Sequence, residues 1–192
     1  MIITLEQLQA IMPQAGHRAA VYLDALNEAM VEFDVSTIAR QSAFLAQVAH
    51  ESGQLRYVRE LADGLAYDFR ADLGNTLPEA IAIAAEHHST PGPWWKGRGL
   101  IQLTGYTNYR RCGAALGVDL LHNPMALEAP RYAARSAAWF WTAQKLNGYA
   151  DAWDFDGVCD MVNRGRKTER EGDANGYADR LAAYARATEV LA

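Results

Sequence analysis

Apolar residues recur at helical spacing along most of this chain. Thr4 to Ile11 places Leu5, Leu8 and Ile11 on one side of a short helix ended near Pro13. His17 to Phe33 continues helically, with Ala20, Leu23 or Asp24, Asn27 and Met30 on one side. With Ser36 as N-cap, a third helix runs through Ile38, Ser42, Leu45, Val48 and Ala49, the spacing of a buried face, and Gly53 stops it. The pattern then breaks. Leu55 to Leu61 and Leu65 to Phe69, separated by Asp63-Gly64, read as a short β-hairpin with a turn at Asp-Gly. A short helix (79–87) and a long loop rich in Pro and Gly occupy 71–99. Further helices are expected at 108–116, 130–147, 155–162 and 175–191. The 130–147 helix, Ala-rich with Trp139, Phe140 and Trp141, reads as core. The prediction is a mainly α protein with one short hairpin.

The hairpin matters because of what flanks it. His50-Glu51-Ser52-Gly53 closes the third helix, and Glu51 falls one turn after Gln47 and Val48, on the shoulder of the apolar face. A carboxyl half-buried beside apolar side chains has its ionised form disfavoured and its pKa raised, as a general acid needs. Glu60 is the second carboxylate. On a continuous helix, nine residues would separate the pair by ~13 Å on opposite faces. Two-carboxylate cleavage of a glycosidic bond needs ~5–9.5 Å. The chain must therefore turn back after Gly53, and the hairpin is the device expected to hold Glu60 facing Glu51 across a cleft.

Composition narrows the class. The 192 residues suit one domain, with two lobes round a cleft as one arrangement. A net charge of −5 without a basic run argues against nucleic-acid binding. No apolar run approaches the ~20 residues of a membrane span, and the first residues lack the pattern of a signal peptide. Cys112 and Cys159 stand apart from any metal-ligand spacing, either as free thiols or as one pair, and a reducing cytoplasm is the default compartment. His87-His88 has no third ligand spaced for a metal. Gly97-x-Gly99 is followed by Gln102 where a dinucleotide loop needs glycine, and no Walker A pattern occurs. No metal and no cofactor are expected.

The stretch Trp94-Trp95-Lys96-Gly97-Arg98-Gly99-Leu100-Ile101-Gln102-Leu103-Thr104 instead suits a sugar cleft. An aromatic wall at Trp95 would pack on a pyranose face, with Arg98 held between glycines and Gln102 and Thr104 fixing orientation. The alternative is that these aromatics anchor a loop to the core.

Together, His50-Glu51-Ser52-Gly53, Arg59-Glu60-Leu61 with Tyr67, and Gly97-Arg98-Gly99-Leu100-Ile101-Gln102-Leu103-Thr104 resemble glycoside hydrolase family 19, the family of plant-type chitinases and many bacteriophage endolysins. The resemblance spans about residues 36–165. It implies a lysozyme-like, two-lobed helical domain occupying 1–192, with no separate wall-binding module. It also implies Glu51 as general acid, Glu60 as general base, and Thr104 as the hydroxyl that helps hold the attacking water. Gln102, Asn108, Tyr67 and Asn163 would be substrate-binding. Asn163 matches the first residue of the family's Asn-Gly-Gly motif; Arg164 stands at its first glycine, and the stretch before Asn175 is longer than usual.

The expected enzyme is a monomeric endolysin-type glycosidase. It would cleave β-1,4 bonds of peptidoglycan glycan strands by inversion, after a holin-type factor lets it out of the bacterial cytoplasm. A chitinase acting on chitin oligomers and a lytic transglycosylase using Glu51 alone are the alternatives, and a non-enzymatic wall-binding module is more distant.

Overall fold

The computed structural model describes residues 2–192. Ten α-helices follow one another: α1 (Leu5–Ile11), α2 (Arg18–Glu32), α3 (Ile38–Glu51), α4 (Pro78–Glu86), α5 (Pro91–Trp94), α6 (Tyr106–Leu116), α7 (Pro130–Ala143), α8 (Leu146–Asp151), α9 (Phe155–Arg164) and α10 (Tyr177–Leu191). Short 3-10 turns lie at Leu65–Tyr67, Ala71–Leu73 and Pro124–Glu128.

Local chemistry sets several ends. Thr4 closes a capping box with Gln7 at α1. Thr37, one residue after the expected Ser36, accepts from the Arg40 amide to cap α3, while Ser36 donates its hydroxyl to Asp34. The expected 130–147 helix divides at Lys145, whose left-handed backbone starts α8. On α2 the buried residues are Ala19, Tyr22, Ala25, Leu26, Asn27, Ala29 and Met30; Asn27 and Met30 lie on the expected face, whereas Ala20 and Asp24 are exposed, and the helix packs on α7.

Two hydrophobic clusters form. The larger joins α1, α2, α3, α7, α9 and α10 around Phe44, whose ring meets Trp141 edge to face at 5.5 Å between centroids. The smaller gathers Ala80, Ile83, Trp95, Leu103, Tyr106, Tyr109, Cys112 and Leu116. Phe33 and Phe140 pack against both. Ten of the 14 residues of α3 are buried, so α3 is the central helix, and Glu51 projects from its C-terminus.

The expected hairpin takes a different form. Residues 65–67 wind into a 3-10 turn after Gly64, and 58–60 pair instead with the glycine-rich motif: Gly99 N donates to Val58 O and Glu60 N to Gly97 O, both at 2.9 Å. Arg59 bridges Arg98, and Arg98 bridges Leu103. Backbone groups of a short extended segment must be satisfied somewhere. Here the better partner is remote in sequence, Gly97 standing 37 positions after Glu60. No helix among the described residues is long and apolar enough to cross a membrane.

Candidate active site

Glu51 is the last residue of α3. The chain reverses immediately, through three successive left-handed residues: Gly53 (φ 55), Gln54 (φ 56) and Leu55 (φ 65). For Gln54 and Leu55 this conformation costs about 1 kcal/mol or more each. Tertiary contacts hold it. Leu55 is buried in the large cluster, Ser52 Oγ donates to Val48 O at 2.6 Å and accepts from Leu55 N at 2.8 Å, and Gln54 Oε1 accepts from Gln14 N at 2.7 Å. The reversal expected after Gly53 is thus made by a strained turn instead of a hairpin.

Glu51 is not surrounded by apolar groups alone, as expected from α3. Arg180, on α10 and 1% exposed, donates from Nη2 to Glu51 Oε1 at 2.5 Å. Its other donors reach Gln47 Oε1 and Asn175 O. Gln47 Nε2 turns to Cys159 Sγ at 3.2 Å. One residue earlier on each, the same two helices are tied again, His50 Nδ1 to Asp179 Oδ2 at 2.6 Å. Gly176 (φ 69) lets them close: a Cβ there would stand 2.2 Å from His50 Cε1. Among the described residues only Oε1 of Glu51 is bonded, which leaves Oε2 for a substrate.

Glu60 is held by neutral donors. Tyr67 donates its hydroxyl to Oε1 at 2.9 Å, and Gly97 N donates to Oε2 at 3.1 Å. Burial first, then the carboxylate, pushes the Tyr67 phenol above its usual pKa, so it remains a donor at neutral pH. Glycine at position 97 leaves room for both side chains: a Cβ would lie 2.9 Å from Gln102 Oε1 and 3.2 Å from Glu60 Oε2 and would displace their ends. Neither nearby arginine pairs with Glu60. Arg56 lies over the Tyr57 ring and Arg59 faces Glu128 at 3.9 Å.

A cleft of about 400 Å³ contains Gln102, Thr104, Asn108 and Asn163, with Ile101, Leu103 and Phe140 drawn from both clusters. The tight turn between Arg98 and Leu103, with Gln102 at φ 55, aims this set. Thr104 donates to Gln102 O at 2.9 Å, Asn108 Nδ2 to Thr104 O at 2.8 Å, and Gln102 Nε2 to Gly99 O at 2.9 Å. Asn163 Oδ1 accepts from Asn175 N, and Asn175 O accepts from Arg180, so a hydrogen-bonded chain joins the cleft wall to Glu51.

Two expected sugar contacts are structural instead. Trp95 is 0% exposed and edge-on to Tyr106, its large ring buried in the smaller cluster instead of lining the cleft. Arg98 is 5% exposed and pairs with Glu128 at 3.0 Å, while Nη1 donates to Trp94 O at 2.8 Å. It pins the glycine-rich turn from behind.

The matched family is described as chitinase class I, glycoside hydrolase family 19, and the match covers residues 29–192. The chain belongs to glycoside hydrolase family 19. Endochitinase 2 of Gossypium hirsutum is 37% identical over 172 residues, 78% of this chain and 56% of that protein. An endochitinase of Arabidopsis thaliana (At2g43620) is 35% identical over 129 residues, 58% of this chain and 41% of that protein. The chain therefore spans about half the length of the curated relatives it matches. The fold is that of chitinase C from Streptomyces griseus HUT6037, with a TM-score of 0.73 at 22% identity over 99% of this chain and 76% of that one. A class IV family 19 chitinase from Zea mays gives 0.72 at 20% identity, over 99% and 92%.

Within this family 19 chain, sequence reasoning missed Arg180 and Gln47. A signal existed: the buried face of α10, Ala183, Ala187 and Leu191, extends back to position 180, and a charged residue on an apolar stripe demands a buried partner. The cysteines are both buried and free, and burial pushes each thiol up to about 12. Among the described residues no group of three or more His, Cys, Asp or Glu could hold a metal ion.

Proposed function

We propose that this chain hydrolyses β-1,4 bonds of chitin-type N-acetylglucosamine polymers with inversion at the anomeric carbon. Glu51 is the general acid and Glu60 the general base. The observation that carries a two-carboxylate mechanism is the state of Glu60. It is free of Arg56 and Arg59, and it accepts from two donors, Tyr67 and Gly97, as an ionised carboxylate does. A transglycosylase, working with one acid, has no use for such a group. The relatives named as endochitinases favour chitin over the peptidoglycan strands first expected.

In this mechanism Arg180 fixes the Glu51 carboxyl through Oε1, and the proton travels on Oε2 to the glycosidic oxygen as the bond breaks. A water on the opposite face of the sugar gives its proton to Glu60 and attacks the anomeric carbon. Thr104, its own proton committed to Gln102 O, presents lone pairs to that water. Gln102, Asn108 and Asn163 bind the sugar's polar groups, with Phe140 beside them. Tyr67 acts on Glu60 and not on the sugar. The fit of both clusters around this cleft supports the described residues as one catalytic unit.

Colloidal chitin and purified peptidoglycan, digested side by side and followed by mass spectrometry, test the substrate. Acetylglucosamine oligomers from chitin are expected. Release from peptidoglycan alone would return the reading to a wall lysin, and anhydro-sugar ends would overturn the hydrolytic mechanism. NMR of a short oligosaccharide should show the α-anomer first; initial retention of the β-anomer defeats inversion.

A further inference from the structure

A second groove, of about 870 Å³, is distinct from the cleft described above. It lies on the outer side of the loop that follows α9. Gly165 faces the cleft, whereas Lys167, Thr168, Glu169 and Glu171 face this second groove, together with Trp153, Asp156, Tyr177 and Tyr184.

Its floor is aromatic. Phe155 and Tyr184 stack at 4.0 Å with an interplanar angle of 3°, and Tyr177 and Leu181 continue the same face of α10. Trp153 stands at its edge, 57% exposed. Trp153 occupies the position just past the end of α8 with φ 56, a left-handed site where glycine is the usual residue. A bulky side chain there is costly, and this one recovers little by burial, which directs attention to what it offers to solvent.

The rim is acidic. Asp154 is tied to Lys167 and Asp156 accepts from Gly172 N at 2.8 Å, but Glu169 and Glu171 carry no ion pair among the described residues. With Lys167 as the only lysine or arginine lining it, the groove carries net negative charge. Burial, followed by Asp156 and further carboxylates, holds the Tyr177 phenol above its ordinary pKa, so it is a neutral donor within that field.

We infer that this groove is a second glycan site, which takes the glucosamine units of partly deacetylated chitin by stacking a sugar ring on Trp153 and placing its ammonium group among Glu169, Glu171 and Asp156. The ligand class follows from the chemistry. An aromatic face binds the apolar side of a pyranose, and a cation beside such rings and carboxylates gains on both counts. The acidic rim disfavours the carboxylate-bearing strands of peptidoglycan. The inference rests on the chitin reading for its choice of polymer, but not on catalysis. A polymer strand held here would lie across the far side of the loop that borders the cleft.

The test uses the full chain and a glucosamine tetramer at mildly acidic pH, where the sugar amines are charged and the carboxylates ionised. The indole N–H signal of Trp153, assigned by its loss in Trp153→Ala, should shift on titration. The acetylated tetramer should shift it at least ~10-fold more weakly. Trp153→Ala should weaken glucosamine-tetramer binding by about tenfold, in keeping with the loss of one ring-stacking platform. Glu169→Gln/Glu171→Gln, which removes two exposed charges and no internal contact, should abolish the preference over the acetylated sugar and reduce the salt dependence. A Trp153 signal that does not move, or equal affinity for both tetramers, overturns the proposal. A chain that leaves chitin intact but still shows the Trp153 shift would defeat the catalytic reading alone, and chitin cleavage with a silent Trp153 would defeat this one alone.

Discussion

Glu51 and Glu60 are the same chemical group held in opposite ways. Glu51 ends a central helix and is tied to a second helix by a buried cation, with Gln47 completing the guanidinium's bonds. Glu60 sits on irregular backbone and is held by a phenol and one main-chain N–H, contributed by a segment far along the chain. The first arrangement fixes a carboxyl by charge, so removing a partner leaves a stranded ion. The second fixes it by neutral donors, each worth about a kilocalorie, and can be dismantled in small steps. Stability should therefore be concentrated at the Glu51 end, while both ends share the chemistry.

Replacing either carboxylate sharpens this contrast most. Glu51→Gln and Glu60→Gln should each lower chitin turnover by at least ~10²-fold, the usual minimum for a general acid or base. Their thermal stabilities should differ. Glu60→Gln should keep nearly the parent Tm, since Tyr67 and Gly97 still find a carbonyl oxygen. Glu51→Gln should lose stability, because the amide no longer neutralises a guanidinium that is 1% exposed. Retention of more than about a tenth of the activity by either variant would remove that glutamate from its role.

Arg180→Ala isolates the structural half. Breaking a buried ion pair costs roughly 3 kcal/mol, because a charge is left without its partner. For a chain of this length that corresponds to a Tm lower by about 6–12 °C. Activity measured well below that Tm should also fall, through misplacement of Glu51. An unchanged melting curve would show that solvent already screens the pair and would erase the contrast.

How far these features could be read in the sequence follows from the same division. The α3 helix, its end at Glu51 and the placing of Gln102 and Thr104 together follow from local signals: apolar period, a stop near Gly53, and a compact motif whose turn spans only 98–103; Asn108 and Asn163 are reached only through the family resemblance. What was illegible depends on distant partners. Nothing near Leu55–Leu61 announces that it pairs with 97–99 instead of 65–69. Position 180 betrays itself only by a charge on an apolar stripe. Trp95 and Arg98 were misplaced for a related reason. The residue types that line sugar clefts also anchor loops from behind, and only burial (0% and 5% exposure) separates the two uses.

Tyr67→Phe probes the other end with a smaller change. It removes one hydrogen bond to a charged acceptor, worth about 1.5–3 kcal/mol when buried and less at this half-buried site. Turnover should drop by roughly tenfold, with Tm little altered. The pH dependence carries a sign. Tyr67 is an acid whose folded pKa is raised, so its donated bond is fully present below the ordinary tyrosine value near 10 and is lost as pH rises through the higher folded value. The ratio of parent to variant activity should thus stay level from neutral pH to about 10 and shrink above it. A ratio that changes between pH 6 and 8 would mean Tyr67 acts on something other than Glu60.

The smallest effect is expected at Thr104, which belongs to neither carboxylate. Its hydroxyl proton goes to Gln102 O at 2.9 Å, so only its lone pairs face the cleft, and the proposed partner is the water that Glu60 activates. Thr104→Ala deletes one acceptor for that water, about 0.5–1.5 kcal/mol, hence a turnover loss of roughly two- to tenfold. It also frees the Gln102 carbonyl, which a water can satisfy because the residue is only partly buried. Thr104→Ser keeps the acceptor and should stay within about twofold of the parent. The pair of variants separates orientation from packing. A hydroxyl that positions water is rescued by serine, whereas a methyl that packs the turn is lost in serine and kept by Thr104→Val. Kinetics on a soluble acetylglucosamine oligomer therefore decide the matter. Serine should outperform valine, and the reverse order would make Thr104 a packing residue of the 98–103 turn.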